Sequence, residues 1–124
     1  MLCGLAGFKS LNICAMSLKH IFKIYVPSTT DVNSPVDNTK QVNNTLQFLS
    51  GHFGGATSQE ARGAWVSSSA GLVVESVTIC YAFCSLSQKL RCRRAVVAYC
   101  KDLAKDMKQE AISLEIDGRL FFIS

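Results

Sequence analysis

Histidine is scarce in this chain. With only His20 and His52 among 124 residues, a histidine-built metal centre has almost nothing to draw on. Two prolines and eight glycines exclude collagen-like and linker compositions. No uninterrupted apolar run approaches the ~20 residues that cross a bilayer, so no membrane partner is expected. The GxxxxGK(S/T) loop, GxGxxG after a strand, the GxSxG elbow and HExxH are all absent, which removes the common nucleotide, hydrolase and zinc templates. Neither a metal nor another cofactor is expected.

Six cysteines are present, at Cys3, Cys14, Cys80, Cys84, Cys92 and Cys100, without a CxxC pair. On one strand face Cys80 and Cys84 would stand about 13 Å apart at ~3.3 Å per residue. On one helix face Cys92 and Cys100 would stand about 12 Å apart at ~1.5 Å per residue. Neither separation can be bridged. These four read mostly as small buried hydrophobes of a reducing compartment, with a cross-pair such as Cys84 and Cys92 left open.

What remains is a globular composition. A hydrophobic fraction of 48%, a charged fraction of 18% and a mean hydropathy of +0.21 suit a single domain with a core of its own. Residues 1–16 precede the first regular pattern and read as a poorly structured extension, and residues 17–124 as one α+β domain. The start has no basic n-region ahead of its glycine-broken apolar stretch, so a cytoplasmic location is expected.

Ile21, Phe22, Lys23, Ile24, Tyr25 and Val26 form a β-branched and aromatic run closed by Pro27, a first strand. A polar loop follows, and Asp37 or Asn38 can cap the next helix. Val42, Leu46, Leu49 and Phe53 recur on one helical face, and Gly51, Gly54 and Gly55 stop it. Two strand-like runs flank the turn-rich segment 67–71, the second continuing through Val77, Ile79, Tyr81 and Phe83. Helical spacing returns over residues 90–109, with Val96, Cys100, Leu103 and Met107 as the stripe. Strict alternation then places Ile112, Leu114 and Ile116 inward, and Asp117-Gly118 signals a two-residue hairpin to a short last strand. The order β-α-β-β-α-β is the ferredoxin-like split β-α-β pattern, an antiparallel sheet with two helices on one face and a terminal hairpin arm. Both alternations of the segment 72–83 are largely apolar, so the open face is expected to be covered by a second copy in a homodimer.

Trp65, the single tryptophan, stands beside the central turn as either a core or interface ring or a stacking wall. Glu75 interrupts an apolar strand. An inward carboxylate needs a partner, which Arg62 or Lys23 could supply; otherwise it binds a ligand or moves a proton. Thr57, after a glycine loop, and Gln109 and Glu110, at the junction of the second helix and the last long strand, complete a candidate ligand site. Residues 89–108 carry seven positive against two negative side chains, a net of +5, while the rest of the chain carries −1 of the total +4. Lys89, Arg91, Arg93 and Arg94 therefore form an alternative nucleic-acid contact.

The runs Ile24-Tyr25-Val26-Pro27-Ser28, Phe53-Gly54-Gly55-Ala56-Thr57, Gly63-Ala64-Trp65, Glu75 and Gln109-Glu110-Ala111 resemble small bacterial and mobile-element proteins across residues 16–123. That resemblance implies a ferredoxin-like α+β fold and supplies no reaction, cofactor or catalytic residue. The leading expectation is a small non-catalytic module that binds a small molecule or a protein partner near Thr57, Trp65, Glu75, Gln109 and Glu110. The alternatives are a nucleic-acid-binding protein and a small enzyme with Glu75 as acid or base.

Overall fold

A computed structural model describes residues 17–30 and 34–124. The expected extension, residues 1–16, lies outside the described residues. The chain forms β1 (His20–Pro27), β2 (Thr29–Thr30), β3 (Ser34–Pro35), α1 (Thr39–Phe53), β4 (Thr57–Ser67), β5 (Gly71–Cys84), α2 (Leu86–Asp106), β6 (Ile112–Ile116) and β7 (Arg119–Ile123). Five strands make one antiparallel sheet in the order β4-β5-β1-β6-β7, and β2 pairs with β3 in a small separate ladder. This is the expected split β-α-β arrangement, with β7 added beside β6 as the terminal hairpin.

Alternation decides which sheet face is covered. In β1 the burial pattern leaves Phe22, Ile24 and Val26 fully buried, and the register brings Ile24 opposite Cys80 and Phe22 opposite Ala82. Leu49 and Phe53 from α1, and Val96, Cys100 and Leu103 from α2, close over this face. Phe22 and Phe53 stack with ring centroids 5.2 Å apart. The covered residues of β5 are therefore Cys80, Ala82 and Cys84. Val77, Ile79, Tyr81 and Phe83 belong to the open face.

Both helices differ in detail from their sequence patterns. Thr45, rather than Val42 or Leu46, joins Leu49 and Phe53 in the buried stripe of α1. Burial of its hydroxyl is tolerated because Oγ1 donates to the Gln41 carbonyl at 2.7 Å and lies 2.9 Å from the Tyr99 hydroxyl, so the polar atom is satisfied. Asn38 occupies the cap position without a side-chain cap bond; Asp37 Oδ1 instead accepts from the Thr39 N–H at 3.0 Å. Gly54 ends α1 at φ 88° with its N–H on the Ser50 carbonyl. α2 begins at Leu86, four residues before the expected start, because Ser85 and Gln88 form a reciprocal capping box that satisfies two otherwise orphaned donors.

One irregularity positions the candidate site. β5 has 14 residues, and β1 pairs only with its second part, from Val77 onward. Residues 71–76 pair with β4 alone. The β4–β5 hairpin thus projects as a two-stranded arm beyond the end of β1, and Ser28 ties its base by donating to the Ser76 carbonyl at 2.6 Å.

Candidate active site

Where the arm leaves the sheet, a cleft of about 370 Å³ opens on the face that carries no helices. The arm supplies Gly63, Trp65 and Glu75, and Val77 lies at its base. Tyr25, Pro27, Ser28 and Thr29 enter from the end of β1 and the segment after it, and Gln109, Ala111 and Ser113 from the approach to β6. The strand register explains the grouping: Glu75 faces Gly63, and Trp65 faces Val73. Side chains two apart in a strand share a face, and diagonal cross-strand neighbours have Cα atoms about 7–8 Å apart, so Trp65 and Glu75 reach into one space.

Glu75 is half-buried, and its carboxylate makes no hydrogen bond or ion pair among the described residues. Both expected ion-pair partners are excluded. Lys23 lies 3.7 Å from Glu115, and Arg62 stands opposite Ser76 in the ladder, on the other face. Nearby, the Tyr25 hydroxyl donates to Glu115 Oε1 at 3.0 Å. Burial first, then this bond and the Glu115 charge, raises the Tyr25 pKa, so the phenol is neutral and its ring is held in place. Gln109 Nε2 donates to the Thr29 carbonyl at 2.9 Å, and Thr30 Oγ1 to the Met107 carbonyl at the same distance. These bonds fasten the β2 segment to the junction of α2 and β6 at one end of the cleft.

Three of the five expected ligand residues come together: Trp65, Glu75 and Gln109. Thr57 does not. It opens β4 opposite Tyr81, eight residues from Trp65 and about 26 Å away at ~3.3 Å per residue. Glu110 is exposed and outside the lining, because α2 ends at Asp106 and a positive-φ Lys108 turns the chain, presenting Gln109 rather than its neighbour. Tyr25, Ser28, Ser76 and Ser113 were missed as site residues. The open-face position of Tyr25 was visible in the alternation of the first strand; the convergence of the serines depends on the arm. Among the described residues no group of three or more His, Cys, Asp or Glu is placed to hold a metal ion.

The basic residues of α2 lie elsewhere. Lys89 is held by Asp117, while Arg91, Arg93 and Arg94 are exposed. Arg93 and Arg94 line a shallow depression with Val97, Ala98 and Lys101, separate from the cleft. Among the described residues no helix is long and apolar enough to cross a membrane.

Chemically, the cleft pairs an indole and a phenol with one unpaired carboxylate and several hydroxyls. Aromatic faces and a carboxylate attract cations, and the rings offer flat walls to a heterocycle. The chain is similar in fold to a phage SAM lyase. One solved structure of that enzyme, in complex with S-methyl-5′-thioadenosine, aligns with a TM-score of 0.61 at 22% identity over 85% of this chain and 88% of the other. Its apo state aligns with a TM-score of 0.60 at 20% identity over 86% and 90%. No protein-family model and no curated protein matches the chain. At this identity the likeness shows the fold. It overturns the expectation of a non-catalytic binding module, because the solved protein that shares the architecture is an enzyme.

Proposed function

We propose that this chain is a small enzyme that cleaves S-adenosylmethionine or a closely related sulfonium nucleoside in the cleft, with Glu75 as the carboxylate that binds and orients the positively charged substrate. The observation that carries the reading is the unpaired Glu75 carboxylate set beside Trp65 in a cleft of about 370 Å³, within the fold of a SAM lyase. The substrate is a sulfonium bearing methyl, 5′-adenosyl and aminocarboxypropyl groups. S-Methyl-5′-thioadenosine keeps the first two, so the bond that breaks joins sulfur to the aminocarboxypropyl carbon. Its electron pair passes to sulfur, whose positive charge disappears. A lyase consumes no water, so the new bond forms within that fragment: as the C–S bond breaks, an oxygen of the fragment's own carboxylate bonds to the carbon that sulfur leaves, closing a lactone, and the carboxylate and sulfonium charges vanish together with no proton transferred. In this reading Trp65 and Tyr25 flank the purine and the cationic sulfur, and Glu75 holds the positive ammonium end of the amino-acid chain so that its carboxylate is aligned for the attack. Gln109 fixes the wall against which the ligand rests.

The test is direct. Purified protein incubated with S-adenosylmethionine yields S-methyl-5′-thioadenosine, resolved by chromatography. Glu75→Gln lowers the rate by roughly 100-fold through lost orientation of the substrate while leaving the unfolding midpoint within a few degrees. No product from the wild-type protein, or an undiminished rate in the variant, removes the proposal.

The same reading gives the open face a use. Trp65, Phe83, Leu120 and Phe122 share it and are 49%, 51%, 49% and 70% exposed, an apolar surface suited to a second copy. Light scattering of the purified protein at twice the monomer mass supports a homodimer, and a monomer removes it. The buried free thiols of Cys80, Cys84, Cys92 and Cys100 support a reducing, cytoplasmic setting.

A further inference from the structure

Gly63 stands in the middle of β4, yet nothing among the described residues requires glycine there. Its φ lies outside the left-handed region, unlike Gly54, Gly71 and Gly118. A Cβ built on it would meet no atom within 4 Å, so close packing does not require glycine either. Glycine inside a strand weakens it by backbone entropy and by the missing side chain. The vacancy is nonetheless specifically placed: Gly63 faces Glu75 across the ladder, precedes Trp65 by two residues on the same face, and lines the cleft with both.

We infer that Gly63 is the specificity-determining floor of the cleft, a stretch of bare backbone on which a flat purine ring lies, with Trp65 as its side wall and Glu75 beyond. The ligand class rests on the proposed function; the placement rests on the ladder. Any side chain at residue 63 projects into the space between Trp65 and Glu75, so residue 63 sets the thickness of ring the cleft admits. The glycine is then a feature of ligand fit that the fold tolerates, and its replacement should separate binding from stability.

The experiment uses the full chain and S-methyl-5′-thioadenosine as the probe. Calorimetric titration of wild type, Gly63→Ala and Gly63→Val gives affinities. The emission of Trp65, the only tryptophan, reports whether binding occurs in this cleft. Expected is a graded loss with side-chain size, about tenfold or more for Gly63→Val. The thermal midpoint should stay level or rise by about 2–4 °C, because the variants restrict the unfolded chain. Wild-type affinity in Gly63→Val, or a fall in its midpoint, overturns the inference and leaves the proposed reaction standing. Graded binding without cleavage of S-adenosylmethionine by the wild type overturns the reaction and leaves the inference standing. Absence of any binding by the wild type overturns both.

Discussion

The Tyr25 hydroxyl donates to Glu115 Oε1 at 3.0 Å across the first and sixth strands, and through this bond a residue just outside the cleft lining fixes one of its walls. Tyr25→Phe should lower stability by about 1 kcal/mol, the net worth of one such hydrogen bond, and should weaken S-methyl-5′-thioadenosine binding by loosening the ring. Glu115→Gln keeps an acceptor but removes the charge. Since burial and then the Glu115 bond and charge raise the Tyr25 pKa, this variant should bring phenolate formation, read at 295 nm, to lower pH. An unchanged alkaline titration in Glu115→Gln shows that the carboxylate does not act on Tyr25.

Ser85 and Gln88 predict a second effect, on the start of α2. The Ser85 side chain accepts from the Gln88 N–H, and Gln88 Oε1 accepts from the Ser85 N–H at 2.9 Å. Ser85→Ala should cost about 1 kcal/mol, and Ser85→Asp, which retains an acceptor, should recover most of it in urea unfolding. Equal losses in both variants would mean that the hydroxyl packs rather than caps.

That cap also explains why α2 begins ahead of its apolar stripe. Leu86 and Leu90 are exposed, so the apolar period of α2 becomes clear only past its first turn, and the Ser85–Gln88 spacing was the earlier signal. Local patterns sufficed where one residue decides one thing: Asp117 and Gly118, both at positive φ, make the terminal hairpin turn, and the alternation of β1 separates Phe22 and Ile24 from Lys23 and Tyr25. The site was legible in part for the same reason. Glu75 stood out as a charge in an apolar strand, and Trp65 by its rarity. Thr57 was misplaced because strand length converts a short sequence separation into about 26 Å. Ser28, Ser76 and Ser113 converge only because β5 outruns β1, a mismatch between two strands that neither strand encodes alone.

Four buried thiols carry a further prediction. Burial pushes Cys100 up to about 12 and Cys80 to about 11, and Cys84 and Cys92 are buried as well. Thiolate is the reactive form, so iodoacetamide at pH 8 should spare all four in the folded protein and modify them in urea. Peptide mass mapping distinguishes them from Cys3 and Cys14, which lie outside the described residues. Rapid native modification at Cys100 would contradict the packing of α2 on the sheet.

Asp117 makes acid stability the most specific test of the fold. Its Oδ2 accepts from Lys89 and, at 2.7 Å, contacts His20 Nδ1, while Oδ1 accepts from the Ile21 N–H at 2.8 Å. The bond from Lys89 acts most strongly, and with the contributions of His20 and Ile21 it outweighs partial burial and holds the carboxyl well below the usual carboxylate range. A depressed folded-state value means that the folded protein keeps the charge when the unfolded chain has taken up a proton. The stabilisation is therefore full above pH ~4, the unfolded value, and is lost progressively as pH falls toward the folded value. Asp117→Asn keeps a residue that tolerates φ 51°, so the turn survives while the charge is removed. Expected is a loss of about 1 kcal/mol at pH 7, modest because the side chain is 27% exposed, and a flatter decline of the urea midpoint between pH 5 and 2. A variant whose midpoint falls in parallel with the wild type over that range would show that Asp117 does not tie the terminal hairpin to β1 and α2 through its charge.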